Sequence, residues 1–385
     1  MNSEITFRGY IPELDGLRAL AVILVLLTHF GPQATSGSGL WKLETVGWMG
    51  VDLFFVLSGF LITGILLDTR EEQHYFRNFY VRRTLRIFPL YYFVLLIGTL
   101  VLISWHRLFD WDLYRRLYEI SWYFFYVGNF RSAFKNHMPS LAFLGPLWSL
   151  QIEEQFYLVF PFIVRNLKRP VLFKILVSVF ILSGPLRWLL YHKSPQLILI
   201  QYLTTPCRLD GLALGALVAL RLRMGPWRIR ASHMVGLTVA SLGALWAYLA
   251  WGGYIWSTDR IRTFGFSVVA LAFTCLLLLV LYFRGTRQTI WLRGPLQYMG
   301  KISYGIYLWQ APAYVLVRTA TSQLGRRYFV ETEWHTTSWG AFGLLCVITV
   351  SLACVSWYFL ELPVLRLKTK YSLPKVSPVA LSVAS

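Results

Sequence analysis

The chain has 385 residues, of which 56% are hydrophobic and only 14% charged, with a formal net charge of +19. That balance excludes an ordinary soluble globular protein and places the chain in a membrane. The basic excess does not mark a nucleic-acid binder, because the arginines and lysines sit in short gaps between apolar runs, which is the positive-inside pattern of a membrane protein.

Ten apolar runs approach the twenty or so residues that a bilayer requires. They lie at about 14–30, 47–67, 88–104, 148–164, 171–190, 197–220, 233–252, 263–283, 302–320 and 338–360. The predicted fold is an all-α polytopic transmembrane helix bundle of about ten spans. Basic residues set its orientation: Arg82, Arg83 and Arg86 lie in the second gap, Arg165, Lys168 and Arg169 in the fourth, Arg221 and Arg223 in the sixth, and Arg284, Arg287, Arg293 and Lys301 in the eighth. The alternate gaps carry fewer, so both termini are expected on the cytoplasmic side. Residues 1–370 form one transmembrane domain in this reading, and 371–385 a short cytoplasmic tail.

The first run carries Asp15, Arg18 and His29. Eleven residues separate Arg18 from His29, which is about three turns, or roughly 16 Å, along one helix face. Asp or Arg at the lipid-facing centre of a span costs about 2.5–3.5 kcal/mol each, so this stripe must face protein or a water-filled cavity. Residues 105–147 hold an aromatic stretch, Ile120 to Gly128, that is too short to span. Its Trp and Tyr content predicts an interfacial or re-entrant element on the outer side. Pro206 interrupts the sixth run just before Arg208 and Asp210, which predicts a broken helix with charges at the break. Cys207, Cys275, Cys346 and Cys354 show no C-x-x-C spacing and read as small packed hydrophobes.

In this orientation His29 lies near the outer end of the first span, Asp52 in the first turns of the second, and Glu153 at a similar depth in the fourth. An imidazole with a carboxylate in reach is the arrangement of a general base held in one tautomer. Each residue also has a plainer reading, His29 as an interfacial histidine and Asp52 and Glu153 as helix-start charges favoured by the macrodipole. A metal site is not expected, since there is no second histidine inside a span, no H-E-x-x-H and no thiolate pair. Ser58 and Ser149 lack the G-x-S-x-G signature of a serine nucleophile. Arg82 and Arg86 are four apart on one helical face, where guanidinium forks can grip phosphates. A topogenic or anionic-lipid role competes with that reading.

These segments together resemble the acyltransferase-3 family of membrane acyltransferases, best known in bacteria. The matching pieces are Leu14-Asp-Gly-Leu-Arg-Ala19 with His29, Gly50-Val-Asp-Leu-Phe-Phe-Val-Leu-Ser-Gly-Phe-Leu-Ile62, Phe79-Tyr-Val-Arg-Arg-Thr-Leu-Arg-Ile-Phe-Pro89, Leu147-Trp-Ser-Leu-Gln-Ile-Glu-Glu-Gln-Phe-Tyr157, Arg208-Leu-Asp-Gly211, Ile302-Ser-Tyr-Gly-Ile-Tyr-Leu-Trp309 and Glu361-Leu-Pro363. The resemblance implies acyl-CoA, in the first instance acetyl-CoA, as a cytosolic donor, and transfer to a hydroxyl of a cell-surface polysaccharide or lipid-linked glycan, in a multi-pass protein of the bacterial inner membrane. By motif position it implies His29 as the essential histidine, with Arg18 and Glu153 at the catalytic centre and Arg82, Arg83 and Arg86 at the donor; Asp52 is expected at the catalytic centre by its depth alone. Glu153 or Asp52 is expected to orient the His29 ring. Many members have histidine after Tyr-Leu-Trp, where this chain has Gln310, so a second obligatory histidine is not expected. The stretch beyond residue 370 is expected to be only a tail, without the extracytoplasmic hydrolase-like domain of some members. Transfer would then be completed by the bundle or by a separate partner. The rival readings are acylation of a small diffusible molecule and, from another class, a secondary transporter, for which broken helices and buried charges are also expected.

Overall fold

A computed structural model describes residues 2–4, 10–32, 44–109, 112–225, 228–321 and 338–367. The tail 371–385, Lys368 and Lys370, and most of the loop 31–46 lie outside these residues. The described chain is helical apart from one short antiparallel pair, Asn2–Glu4 with Arg228–Arg230. The principal helices are α1 (Pro12–Phe30), α2 (Met49–Asp68), α3 (Tyr75–Phe109), α4 (Leu113–Phe124), α5 (Gly128–Lys135), α6 (Leu147–Asn166), α7 (Arg169–Lys193), α8 (Ile198–Leu203), α9 (Thr205–Arg221), α10 (Ala231–Gly252), α11 (Phe266–Tyr282), α12 (Pro295–Lys301), α13 (Ser303–Thr321) and α14 (Trp339–Ser356).

Seven segments among the described residues are long and apolar enough to cross a membrane. They contain α2, α3, α7, α8 with α9, α10, α11 and α14. The other three expected spans form α1, α6 and α13, of 19, 20 and 19 residues, or about 28–30 Å at the helical rise. These are long enough, but their hydropathy is lowered by Glu13, Asp15 and Arg18 in α1, by Glu153, Glu154 and Arg165 in α6, and by the hydroxyl and amide side chains of α13. Burial separates two groups. The windows of α2 and of α8 with α9 are each 78% buried, whereas those of α7, α10 and α14 are 28%, 22% and 22% buried, so the latter three face outward.

The third run begins earlier than expected. It is one helix of 35 residues that continues through Pro89, so the arginine motif lies on α3 itself rather than before it. A proline removes one backbone hydrogen bond, which a packed membrane helix tolerates. The predicted break at Pro206 is present: α8 ends at Leu203 and α9 starts at Thr205. The aromatic stretch of 105–147 forms α4 and α5. Part of its backbone is satisfied from α3 and α6: Tyr91 and Tyr92 donate to the Tyr123 and Phe124 carbonyls at 2.8 and 3.0 Å, and Gln155 to the Tyr126 carbonyl at 2.7 Å. Irregular backbone inside a membrane protein needs such partners.

The basic gaps collect at one end. Arg223 grips Asp68 with two bonds of 2.6 Å, Arg169 donates to the Arg223 carbonyl, Arg70 to the Arg165 carbonyl, and Arg293 pairs with Glu13 at 2.6 Å. At the other end Trp48 donates to the Tyr254 carbonyl and Asn136 to the Gln196 carbonyl.

Helices α1, α2 and α9 approach closely through glycine. A side chain at Gly50 would overlap the Ala21 carbonyl oxygen, and one at Gly59 or Gly215 would overlap the carbonyl of Leu212 or Val56. Small residues of this kind let membrane helices pack by dispersion alone. Gly59→Val should therefore lower stability by about 3 kcal/mol or more, read as a loss of monodisperse protein or a fall in Tm. Gly236→Ala and Gly243→Ala, which meet nothing within 4 Å, should leave the Tm unchanged.

Candidate active site

A small, partly open cavity lies between α1, α2, α6 and α13. Arg18, Ser58, Ser149, Glu153, Ser303 and Tyr307 line it with polar groups, and Phe54, Phe55 and Tyr304 form its walls. Three of these four helices, α1, α6 and α13, are the ones whose polarity sets them apart from the seven apolar segments, and part of that polarity, Arg18, Glu153 and Ser303, lines the cavity. Arg18 Nε donates to Ser303 Oγ at 3.3 Å. Glu153 accepts from Ser58 Oγ at 2.6 Å and from the Tyr157 hydroxyl at 3.2 Å. Ser149 and Tyr307 share a hydrogen bond of 2.6 Å, and Tyr307 also donates to the Pro146 carbonyl.

Ser58 is unusual for a hydroxyl inside a helix. Such groups commonly bond back to the carbonyl four residues earlier, as Thr99, Ser183, Thr238, Thr274 and Thr349 do here. The Ser58 hydroxyl instead crosses to Glu153 on another helix.

His29 has a different partner from the one expected. Its Nδ1 lies 2.8 Å from Gln310 Oε1, while the Gln310 amide nitrogen donates to the Tyr307 carbonyl at 2.9 Å. A carbonyl only accepts, so the amide NH₂ must face Tyr307 and the amide oxygen must face His29. In the neutral ring Nδ1 then carries the proton, and the lone pair is on Nε2. Gln310, rather than Glu153 or Asp52, fixes the ring.

The three residues expected at one depth are separated. Gly50 of α2 lies against Ala21, Leu24 and Val25 of α1, which sets the relative height of the two antiparallel helices. Glu153 meets α2 at Ser58, six residues and about 9 Å beyond Asp52. Asp52 is fully buried and pairs with Arg208 at 2.9 Å. Glu153 therefore belongs with Arg18 in the cavity, His29 with Gln310 nearer the outer end, and Asp52 with Arg208 behind the cavity wall.

The arginine motif lies at the basic end. The Arg83 guanidinium lies 5.5 Å from the Tyr157 ring centre, and that of Arg86 lies 5.6 Å from the Trp357 ring centre. Arg83 and Arg86 both interact electrostatically with Arg18, and Arg83 also with Glu153 and Glu154, whereas Arg82 interacts with Glu72. Arg83 and Arg86, at i and i+3, are thus the two arginines of the motif that sense the charge of Arg18. No group of three or more His, Cys, Asp or Glu side chains is placed to hold a metal ion among the described residues.

Gln310, Ser58, Ser303 and Tyr307 were not singled out as site residues from the sequence. Only Gln310 carried a signal, as the departure from histidine after Tyr-Leu-Trp.

The chain is 30% identical over 378 residues to YrhL of Bacillus subtilis, provisionally named a peptidoglycan O-acetyltransferase, with 92% of this chain and 55% of the relative covered. It is 30% identical over 329 residues to the peptidoglycan O-acetyltransferase OatA of Listeria monocytogenes, with 80% and 50% covered. A Staphylococcus aureus protein provisionally named an O-acetyltransferase is 29% identical over 371 residues, with 92% and 57% covered. The chain spans about half the length of these curated relatives. No solved structure matches it. Residues 11–358 match the family model described as an acyltransferase domain, and with that match over most of its length the chain belongs to the acyltransferase-3 family.

Proposed function

We propose that this chain is a membrane O-acyltransferase that takes an acyl group, in the first instance acetyl, from acyl-CoA at the basic end of the bundle. It passes the group to a hydroxyl of a cell-envelope glycan at the other end, and the names of its relatives point to peptidoglycan or a precursor as that acceptor. All ten helical runs span in this reading, the basic end is cytosolic, and the membrane is the bacterial inner membrane. The observation that carries the proposal is the pair of hydrogen bonds at Gln310, to His29 Nδ1 at 2.8 Å and to the Tyr307 carbonyl at 2.9 Å, from which Nε2 follows as the basic nitrogen of His29.

The donor phosphates would be held by Arg86 with Arg83, and Arg82 would add charge at the rim. The thioester arm would enter the cavity past Arg18 and Glu153, whose opposite charges let polar groups of the donor be bonded at membrane depth. His29 Nε2 would take the proton of the acceptor hydroxyl as its oxygen bonds to the acyl carbon, and the imidazolium would give that proton to the CoA sulfur as the C–S bond breaks. Gln310 holds the ring but brings no negative charge to an imidazolium, unlike the carboxylate of a Ser-His-Asp triad. Base catalysis of this kind contributes about 10²–10⁴-fold, and holding two substrates in line supplies much of the remainder.

His29→Ala should lower acceptor-dependent release of CoA by on the order of 10²-fold or more, with insertion and donor binding preserved. Retention of more than a tenth of wild-type turnover removes the base assignment, and wild-type protein that releases no CoA with any glycan acceptor favours a transporter.

At the donor end, Arg83→Ala and Arg86→Ala should each weaken acyl-CoA binding by roughly 10- to 100-fold, the loss of one charge-assisted contact of about 1.5–3 kcal/mol. Lysine should rescue only in part, since it offers no planar fork. Donor affinity measured by calorimetry decides this, and an unchanged double variant makes these arginines topology signals.

The orientation is checked with single cysteines. One replacing His137 should react with an impermeant maleimide in intact cells, and one replacing Gln73 should react only after permeabilisation. The reverse pattern would put the donor entrance on the wrong side.

A further inference from the structure

Two fully buried arginine–aspartate pairs lie side by side among α2, α7, α9 and α11, and they differ in how well they are satisfied. Arg187 donates to Asp210 at 2.9 Å, to the Cys207 and Thr263 carbonyls at 2.5 and 2.8 Å, and to Ser267 at 2.7 Å. Asp210 also accepts from Ser267 and from the Gly211 amide. This network is complete enough to account for itself as a structural tie. Arg208 makes a single hydrogen bond, to Asp52, and its Nε and Nη1, with Asp52 Oδ2, find no partner among the described residues. A half-satisfied buried ion pair is a poor stabiliser, and a well-packed apolar replacement often equals or exceeds it. Hydrogen bonding therefore does not explain the Asp52–Arg208 pair.

Its surroundings do. The Arg208 guanidinium lies 3.8 Å from the Phe266 ring centre and within 5.5–5.9 Å of Tyr202, Phe55 and Trp148. Phe55 is a cavity wall on α2, and Trp148, edge-on to Phe55 at 6.3 Å, precedes Ser149 of the cavity on α6. Asp52 lies three residues before Phe55 and six before Ser58. A planar cation pinned by Asp52 thus fixes the aromatic wall and the relative height of α2 and α6, the two helices across which Ser58 reaches Glu153.

We propose that Asp52 and Arg208 are positioning residues, retained because they set the geometry of the Arg18–Ser58–Glu153 cavity and not because they hold the fold together. The inference takes the cavity as the donor path and so rests on the function proposed above.

The test replaces the pair by apolar residues of similar size, Asp52→Leu with Arg208→Met, and measures Tm, kcat and donor KM. The expected protein has a Tm equal to or above the wild type and a kcat lowered at least tenfold. Arg208→Lys keeps the charge and the pairing but has no planar face for Phe266, so it should fold normally and lose about tenfold in kcat. A cysteine replacing Ser58 reports the cavity independently of catalysis, and its rate of reaction with a small methanethiosulfonate should change severalfold in the Arg208→Lys background. Wild-type kcat and an unchanged Ser58→Cys rate in the lysine variant overturn the proposal, as does a lower Tm in the apolar variant, which would make the pair a stabiliser. If wild-type protein consumes no acyl-CoA while the thiol rate still changes, the positioning role stands and the functional reading falls.

Discussion

A polar side chain at membrane depth has no water to answer it, so it must be answered by protein. Helices α1, α6 and α13 carry Arg18, Glu153, Glu154, Ser303 and Gln310, and none of the three could stand alone in lipid without a penalty of several kcal/mol. Their polar faces meet one another: Arg18 donates to Ser303, His29 meets Gln310, and Ser149 meets Tyr307. The apolar helices supply the remaining cover. Helices α7, α10 and α14 turn most of their surface outward, while α2 and α9 are buried between the two sets. The cavity is the consequence of this sorting, because polar faces that cannot touch lipid and do not fill the space between them leave a polar hollow.

Close packing and ion pairing then make that hollow rigid. Membrane helices gain little from the hydrophobic effect once inside the bilayer, so contact distance matters more than apolar area. The glycines at 50, 59, 211 and 215 bring α2 against α1 and α9 at backbone contact. Arg187 ties α7 to α9 and to the π-helical turn Ile261–Gly265 before α11 through bonds to Asp210, Cys207 and Thr263. Loss of one partner of such a buried pair leaves a charge without compensation, which costs about 3–5 kcal/mol.

The molecule has two chemically different ends, and the polar cavity lies among α1, α2, α6 and α13. One end is basic and tied together by arginine contacts such as Arg223 with Asp68 and Arg293 with Glu13. The short helices α4 and α5 lie toward the other end, where Asn136 caps α5 and holds the Gln196 carbonyl. This polarity suits a donor that is anionic and confined to one compartment and an acceptor that is met in the other. The glutamine on His29 also departs from a carboxylate-assisted base. An amide fixes the tautomer through a hydrogen bond of 2.8 Å and itself carries no charge.

Much of this was legible along the chain. Hydropathy alone found the apolar runs, since twenty apolar residues in a row have few other fates. The broken helix at Pro206 followed from the missing amide hydrogen, and the two-ended arrangement of basic gaps from the spacing of Arg70, Arg165, Arg223 and Arg293. The family motifs named Arg18, His29 and Glu153, because their spacing survives in the sequence as text. Pairing did not. Helical periodicity gives the face on which a residue lies but neither its height against an antiparallel neighbour nor the direction in which its side chain leans. His29 was therefore placed with Asp52 and Glu153, whereas the contact of Gly50 with α1 sets those residues at different depths. Gln310 lies 281 positions from His29, and Asp52 lies 156 positions from Arg208. Local sequence determined which segments are helical, which are apolar and which end is basic. Only the packing of the helices decided which polar groups meet, because partners are chosen by distance in space between segments that share no local pattern.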